Sequence, residues 1–155
     1  MNKYYSRVHL ENIKTAANYQ ELLEVALDVL ESMRSENPLA PIAMLCGPIS
    51  TGGKGSRQEN LEVFELAIER ASAGGLLVFS QMPFEENMDR IYKSDPKLQG
   101  LMLLERFYRP IFKSGIIKLL CFIDGWEESV GAQWEYNTAV MLNIPRIYLS
   151  QFYTR

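Results

Sequence analysis

Glu135 closes the run SVGAQWE (129–135), six residues after Ser129 and four after Gly131. A serine and a glycine at the start of a helix leave amide N–H groups that can hold an anion. A carboxylate about one turn further in is a candidate catalytic group. The run is preceded by LLCFI (119–123) and by Asp124-Gly125. The whole stretch 119–135 therefore reads as a buried strand, a turn and a helix start. That is where an open α/β sheet keeps its chemistry. Trp134, Ala139, Val140, Met141 and Leu142 lie on several faces of this helix, so it is expected to be largely buried, with Glu135 inside it.

A second cluster follows the first apolar run: GPISTGGKGSR (47–57). Its glycines let backbone N–H groups converge, a helix start follows, and Ser50, Thr51, Lys54, Ser56 and Arg57 add donors. It is neither of two familiar phosphate motifs. The P-loop pattern would need glycine at 48 and serine or threonine at 55, where the chain has Pro48 and Gly55. The dinucleotide pattern G-x-G-x-x-G, counted from Gly47, meets Ile49 at its third position. The candidates for holding a phosphate or sugar are Gly47, Ile49, Ser50, Gly52, Gly53, Lys54, Ser129 and Gly131.

The elements that must position these groups follow from period and punctuation. Residues 1–16 are polar and mixed. Thr15–Asn37 has helical period, with Leu22, Leu23, Ala26, Val29, Leu30 and Met33 on one face, and Asn37-Pro38 ends it. Strands are expected at Pro41–Gly47, Leu76–Phe79, Ile116–Ile123 and Pro145–Leu149. None alternates, as befits parallel strands covered on both faces. Helices are expected at Gln58–Ala73, with Leu61, Phe64, Leu66, Ile68 and Ala71 inward, at Leu98–Lys113, which Pro110 kinks or ends, and at Ser129–Leu142. Ser80–Lys97 reads as a long polar loop or lid with a short helix at Glu86–Tyr92. The order β-α-β-α-β-α-β predicts a single-domain, three-layer Rossmann/flavodoxin-like parallel sheet with helices on both faces, plus an N-terminal helix. Residues 1–40 form an arm that packs on the domain or on a partner subunit, and 41–155 form the α/β domain.

Composition narrows the function classes. The 155 residues are 47% hydrophobic and 23% charged, with a net charge of −3. This charge argues against binding a nucleic-acid polymer, which needs clustered cations, but not against a small anion held by local donors. Cys46 and Cys121 each sit in an apolar run with no metal-ligand spacing, and His9, the single histidine, has no partner motif. Buried thiols, no metal and no cofactor are the expectation. Neither a signal peptide nor a membrane-length apolar run is present, which predicts a cytoplasmic protein that does not enter a membrane.

CGPISTGG (46–53) and DGWEESVGAQWEYNTAVMLNIPRIYL (124–149) resemble the nucleoside 2-deoxyribosyltransferase-like superfamily, which includes the 2′-deoxynucleoside 5′-phosphate N-hydrolases. The resemblance covers about Ile42–Leu149. It implies cleavage or transfer at the N-glycosidic bond of a nucleoside 5′-monophosphate or nucleoside, with Glu135 attacking C1′ or stabilising its cation. A serine at 129 matches the nucleotide hydrolases, where it binds the 5′-phosphate, rather than the aspartate of the nucleoside-using transferases. Thr51 is one residue extra in the turn. The family's upstream aspartate, which protonates the leaving base, has no counterpart in ERFYRPIFK (105–113). Glu105 and Asp124 are the candidates for that role, with Glu85, Glu86 and Asp89 as further carboxyls. Met82, Pro83 and Trp126 are the expected base pocket. The resemblance also implies a homodimer or higher homo-oligomer, with the apolar face of Thr15–Asn37 and the tail QFYTR as contacts. The alternative is a catalytically silent nucleotide-binding or sensing protein of the same fold. An unrelated flavodoxin-like domain with a structural Glu135 is the third reading.

Overall fold

The structure, a computed structural model, describes residues 2–95, 97 and 100–150. The tail 151–155, expected from sequence at a subunit contact, lies outside the described residues. The chain divides into two compact units, Met1–Ala40 with Gln81–Ile116, and Pro41–Ser80 with Ile117–Arg155. Residues 81–116, assigned from sequence to the α/β domain, thus group with the N-terminal arm.

The first unit is helical: α1 (Arg7–Thr15), α2 (Tyr19–Glu36), α4 (Met82–Ser94), α5 (Gly100–Leu103), a π-helical turn (Leu104–Tyr108) and α6 (Arg109–Lys113). α2 buries Leu22, Leu23, Ala26, Val29, Leu30 and Met33, so the apolar face offered above to a partner subunit is covered within the chain. A chain of rings, Tyr5–Phe84–Phe107–Tyr108–Phe112, runs through this core at centroid separations of 4.9 to 6.3 Å. Such spacings suit edge-on and tilted aromatic pairs.

Two elements here differ from the sequence reading, and the break expected at Pro110 is present. Residues 7–15 are a helix, started by Ser6, whose hydroxyl accepts from the His9 amide while the His9 ring accepts from the Ser6 amide. Histidine in the place of the usual Glu or Gln hid this capping box. The expected lid at 80–97 is largely α4, with Phe84, Met88 and Ile91 buried at helical spacing. Pro83 occupies its first turn, where a missing N–H costs nothing. Pro110 sits in the first turn of α6, and the helix widens to the π-turn immediately before it.

The second unit holds the expected parallel sheet. Its strands are β1 (Ile42–Cys46), β2 (Leu77–Val78), β3 (Ile117–Phe122) and β4 (Arg146–Tyr148), in the order β2-β1-β3-β4, all parallel. This is the α/β, Rossmann/flavodoxin-like class. Every residue of β1 is buried, which explains the lack of alternation. α3 (Arg57–Ala73) carries the chain from β1 to β2 on one side, and α7 (Val130–Leu142) carries it from β3 to β4 on the other. Connections leaving neighbouring strands in opposite directions open a crevice at their carboxyl ends. That switch point lies between β1 and β3. On α3 the inward residues are Asn60, Phe64 and Ala71, whereas Leu66 is 45% exposed. Among the described residues no helix is long and apolar enough to cross a membrane.

Phe64 is 1% exposed in the second unit. Phe64→Ala should lower the unfolding free energy by about 3–5 kcal/mol, the usual cost of emptying a ring-sized core site. Equilibrium urea unfolding measures it, and a loss under about 1 kcal/mol would mean that α3 does not pack as described.

Candidate functional site

The carboxyl ends of β1 and β3 approach closely. A Cβ added to Gly47 would lie 2.9 Å from the Ile123 Cβ, so only glycine follows β1 without pushing β3 aside. Beyond β3, Asp124-Gly125 leads into a 3-10 turn (Trp126–Glu128) and then α7. The inward stripe of α7 is Ala132, Glu135, Thr138 and Ala139. Its apolar residues do not all point inward as expected: Val130, Val140 and Met141 are 65%, 47% and 71% exposed. Glu135 is nonetheless 7% exposed. The helix thus buries a carboxylate and shows apolar side chains to solvent, the reverse of ordinary amphipathic order.

Glu135 faces Cys46, the last residue of β1, whose thiol shares a hydrogen bond with it. Burial pushes the Cys46 thiol well up, and the neighbouring Glu135 carboxylate pushes it further. Cys46 therefore stays protonated and serves Glu135 as a donor. Burial also raises Cys121, to about 12. Neither thiol is a thiolate nucleophile.

The glycine turn is held on two sides. Asn60, in the first turns of α3 and 4% exposed, donates through Nδ2 to the Ile49 and Gly52 carbonyls at 2.9 and 3.2 Å. Its Oδ1 accepts from the Lys54 amide at 2.8 Å. On the other side Thr51 Oγ1 accepts from the Val130 amide at 3.0 Å, which gives the extra residue of this turn a task as a cap of α7. Gly52 (φ +73°) presses on the acidic turn, since a Cβ there would sit 2.8 Å from the Glu128 carbonyl oxygen. Gly53 also has positive φ, +64°. Sequence reasoning missed Asn60. The only signal was a polar residue at a position on the inward face of α3.

Ser129 is the N-cap of α7, buried, its hydroxyl accepting from the Ala132 amide at 3.2 Å. With Thr51 on Val130 and Ser129 on Ala132, the Gly131 amide is the one in the first turn that neither cap takes. Gly47, Ile49, Ser50, Gly52, Gly53, Lys54, Ser129, Gly131 and Glu135 all belong to the second unit.

Trp126 is half-buried and already stacked: its ring lies 4.9 Å from Tyr136 at an interplanar angle of 17° and packs against Phe122 and Tyr148. The Tyr148 hydroxyl is raised, first by its hydrogen bond with Tyr136 and then by burial. With Asp124, Glu127 and Ser150, the rings of Phe122, Trp126 and Tyr148 line a hollow of about 320 Å³. A second hollow of about 240 Å³ lies beside the glycine turn, lined by Lys54, Asn60, Phe64, Asp124 and Glu128 among others. Asp124 is exposed and borders both hollows; Glu135 borders neither. Glu105, Met82 and Pro83 belong to the first unit. There Arg109 holds the Glu105 carboxylate with two hydrogen bonds, at 2.5 and 3.0 Å. Pro83 lines a groove with Arg7, Leu10 and Lys14 of α1.

Gly52→Ala must adopt a left-handed backbone and meet the Glu128 carbonyl. It should cost at least about 1–3 kcal/mol and loosen the turn. A variant with unchanged thermal unfolding would contradict the docking of this turn on residues 126–128. The raised thiols carry a second prediction. A group whose pKa is raised by folding stabilises fully below its unfolded value and less as pH climbs towards its folded value. Stability should therefore decline as pH rises above 9.0, the ordinary thiol value, towards about 12. The decline should be smaller in Cys121→Ala than in the native chain. Denaturant midpoints across that range measure it, and an identical slope in the variant would contradict thiol burial.

No family model matches the chain, and no curated protein or solved structure matches it either, so function rests on the chemistry of the site itself.

Proposed function

We propose that the protein cleaves, or transfers at, the N-glycosidic bond of a nucleoside 5′-monophosphate or nucleoside, as the resemblance to the nucleoside 2-deoxyribosyltransferase-like superfamily implies. The observation that carries this reading is Glu135: a buried carboxylate on α7, beside the end of β1, at the switch point of a parallel sheet. Burying a carboxylate at that position costs free energy that an apolar side chain would not. A glycosidase needs one there. As the C1′–N bond breaks, positive charge gathers on the sugar, and a desolvated carboxylate meets it more strongly than a hydrated one would.

In this reading a Glu135 oxygen bonds to C1′ while the base departs with the electrons of the C1′–N bond and takes up a proton. Water or a second base then attacks C1′, and Glu135 leaves as the carboxylate. Water makes the protein a hydrolase, and a second base makes it a transferase. Cys46 donates to the carboxylate when it is charged. Arg109 engages the Glu105 carboxyl with two hydrogen bonds, and Asp124, which borders both hollows, is our candidate proton source for the base. The glycine turn and Gly131 receive the phosphate, with Lys54 supplying charge, and the hollow at Trp126 and Tyr148 takes the base. The exposed apolar side chains of α7 are the candidate contact for a second copy.

The engagement of Glu105 with Arg109 favours one other reading, a nucleotide-binding protein without turnover, which needs no proton donor. The two readings separate on one panel. Purified protein incubated with ribo- and deoxyribonucleoside monophosphates should release free base, detected by chromatography. Glu135→Ala should abolish release, at least 100-fold, while the protein stays folded. Nucleotides that raise the melting temperature by mass action without any base release would establish the binding protein instead.

A further inference from the structure

We infer that Asn60 is the positioning residue of the anion-binding face of the glycine turn, and that the Ser50 and Gly53 amides are the donors it presents. The inference deepens the proposed phosphate site and rests on that reading. In a trans peptide the C=O and the N–H of the same unit point in opposite directions across a planar group. The chain has no cis peptides among its described residues. Asn60 Nδ2 takes the Ile49 carbonyl at 2.9 Å and the Gly52 carbonyl at 3.2 Å. Those carbonyls share peptide units with the Ser50 and Gly53 N–H groups. Holding the oxygens towards α3 therefore turns both N–H groups away from it.

Neither amide has a hydrogen-bond partner among the described residues. Ser50 and Gly53 are both exposed, so the two N–H groups are left to solvent or to a ligand. The third bond, from the Lys54 amide to Asn60 Oδ1 at 2.8 Å, fixes the amide orientation, since an acceptor on that side requires the Nδ2 group on the other. Asn60 is 4% exposed and in the first turns of α3, so the turn is shaped before any ligand arrives. Gly53 adopts φ +64° beside it, where a side chain would collide with Asn60 Oδ1 and with the Pro48 Cβ, 2.8 Å away. The two N–H groups that Asn60 turns outwards are the donors an oxyanion would meet on this face. A phosphate fits it by charge and by number of acceptors.

The test uses inorganic phosphate on the whole 15N-labelled chain, followed by amide shifts. The native protein should show saturable shifts at Ser50 and Gly53. In Asn60→Ala and Asn60→Asp, which both lose the Nδ2 donor, phosphate affinity should fall at least tenfold while amides of β3 and β4 keep their native positions. Phosphate that shifts Gly131 but leaves Ser50 and Gly53 unmoved in the native protein overturns the inference, whether or not either variant folds. So does native affinity in a folded Asn60→Ala. Base release is scored separately. Phosphate binding at Ser50 and Gly53 without base release from any nucleotide removes the enzyme and leaves Asn60 in its role. Base release from nucleosides with no phosphate response leaves the enzyme and removes Asn60.

Discussion

The burial of the Glu135 carboxylate is the constraint on which the rest of the site depends. Taking a carboxylate out of water is costly unless hydrogen bonds or charges receive it. The chain meets that cost locally with a protonated thiol at the end of β1. Gly47, directly after β1, lets the chain pass close to Ile123 at the switch point. An apolar side chain in the position of Glu135 would not carry that cost.

The second constraint is the tie between the two turns above the sheet. Thr51 caps α7, Gly52 lies on the Glu128 carbonyl, and Asn60 holds the other side. The glycine turn is therefore no mobile surface loop but a wedge between α3 and the start of α7. Ser129 and Thr51 each accept from an α7 amide, which ties the N-cap and the glycine turn to the start of that helix.

Much of this was legible from sequence because parallel strands advertise themselves. β1 and β3 are buried runs without alternation, and the helices between strands carry clear caps. The helix α1 was hidden by a capping box built with His9, and α4 by a proline that breaks helices everywhere except in their first turn. The grouping of residues 81–116 with the arm is a matter of long-range packing, which no local pattern records. At the site, the Ser129–Glu135 spacing showed where the carboxylate would be. The sequence did not show that Val140 and Met141 would face solvent, because apolar residues on every side of a helix do not say which side the sheet takes. Asn60 was illegible for the same reason: its partners are six to eleven residues away in a turn whose path only the fold determines.

The most direct test of the central claim is a crystal structure of Glu135→Gln with a nucleoside 5′-monophosphate bound. The account predicts C1′ of the sugar within about 3–3.5 Å of the residue 135 side chain, the reach needed for attack, with the phosphate on the glycine turn. A nucleotide seated with its C1′ well beyond that reach, or held elsewhere on the chain, would contradict it.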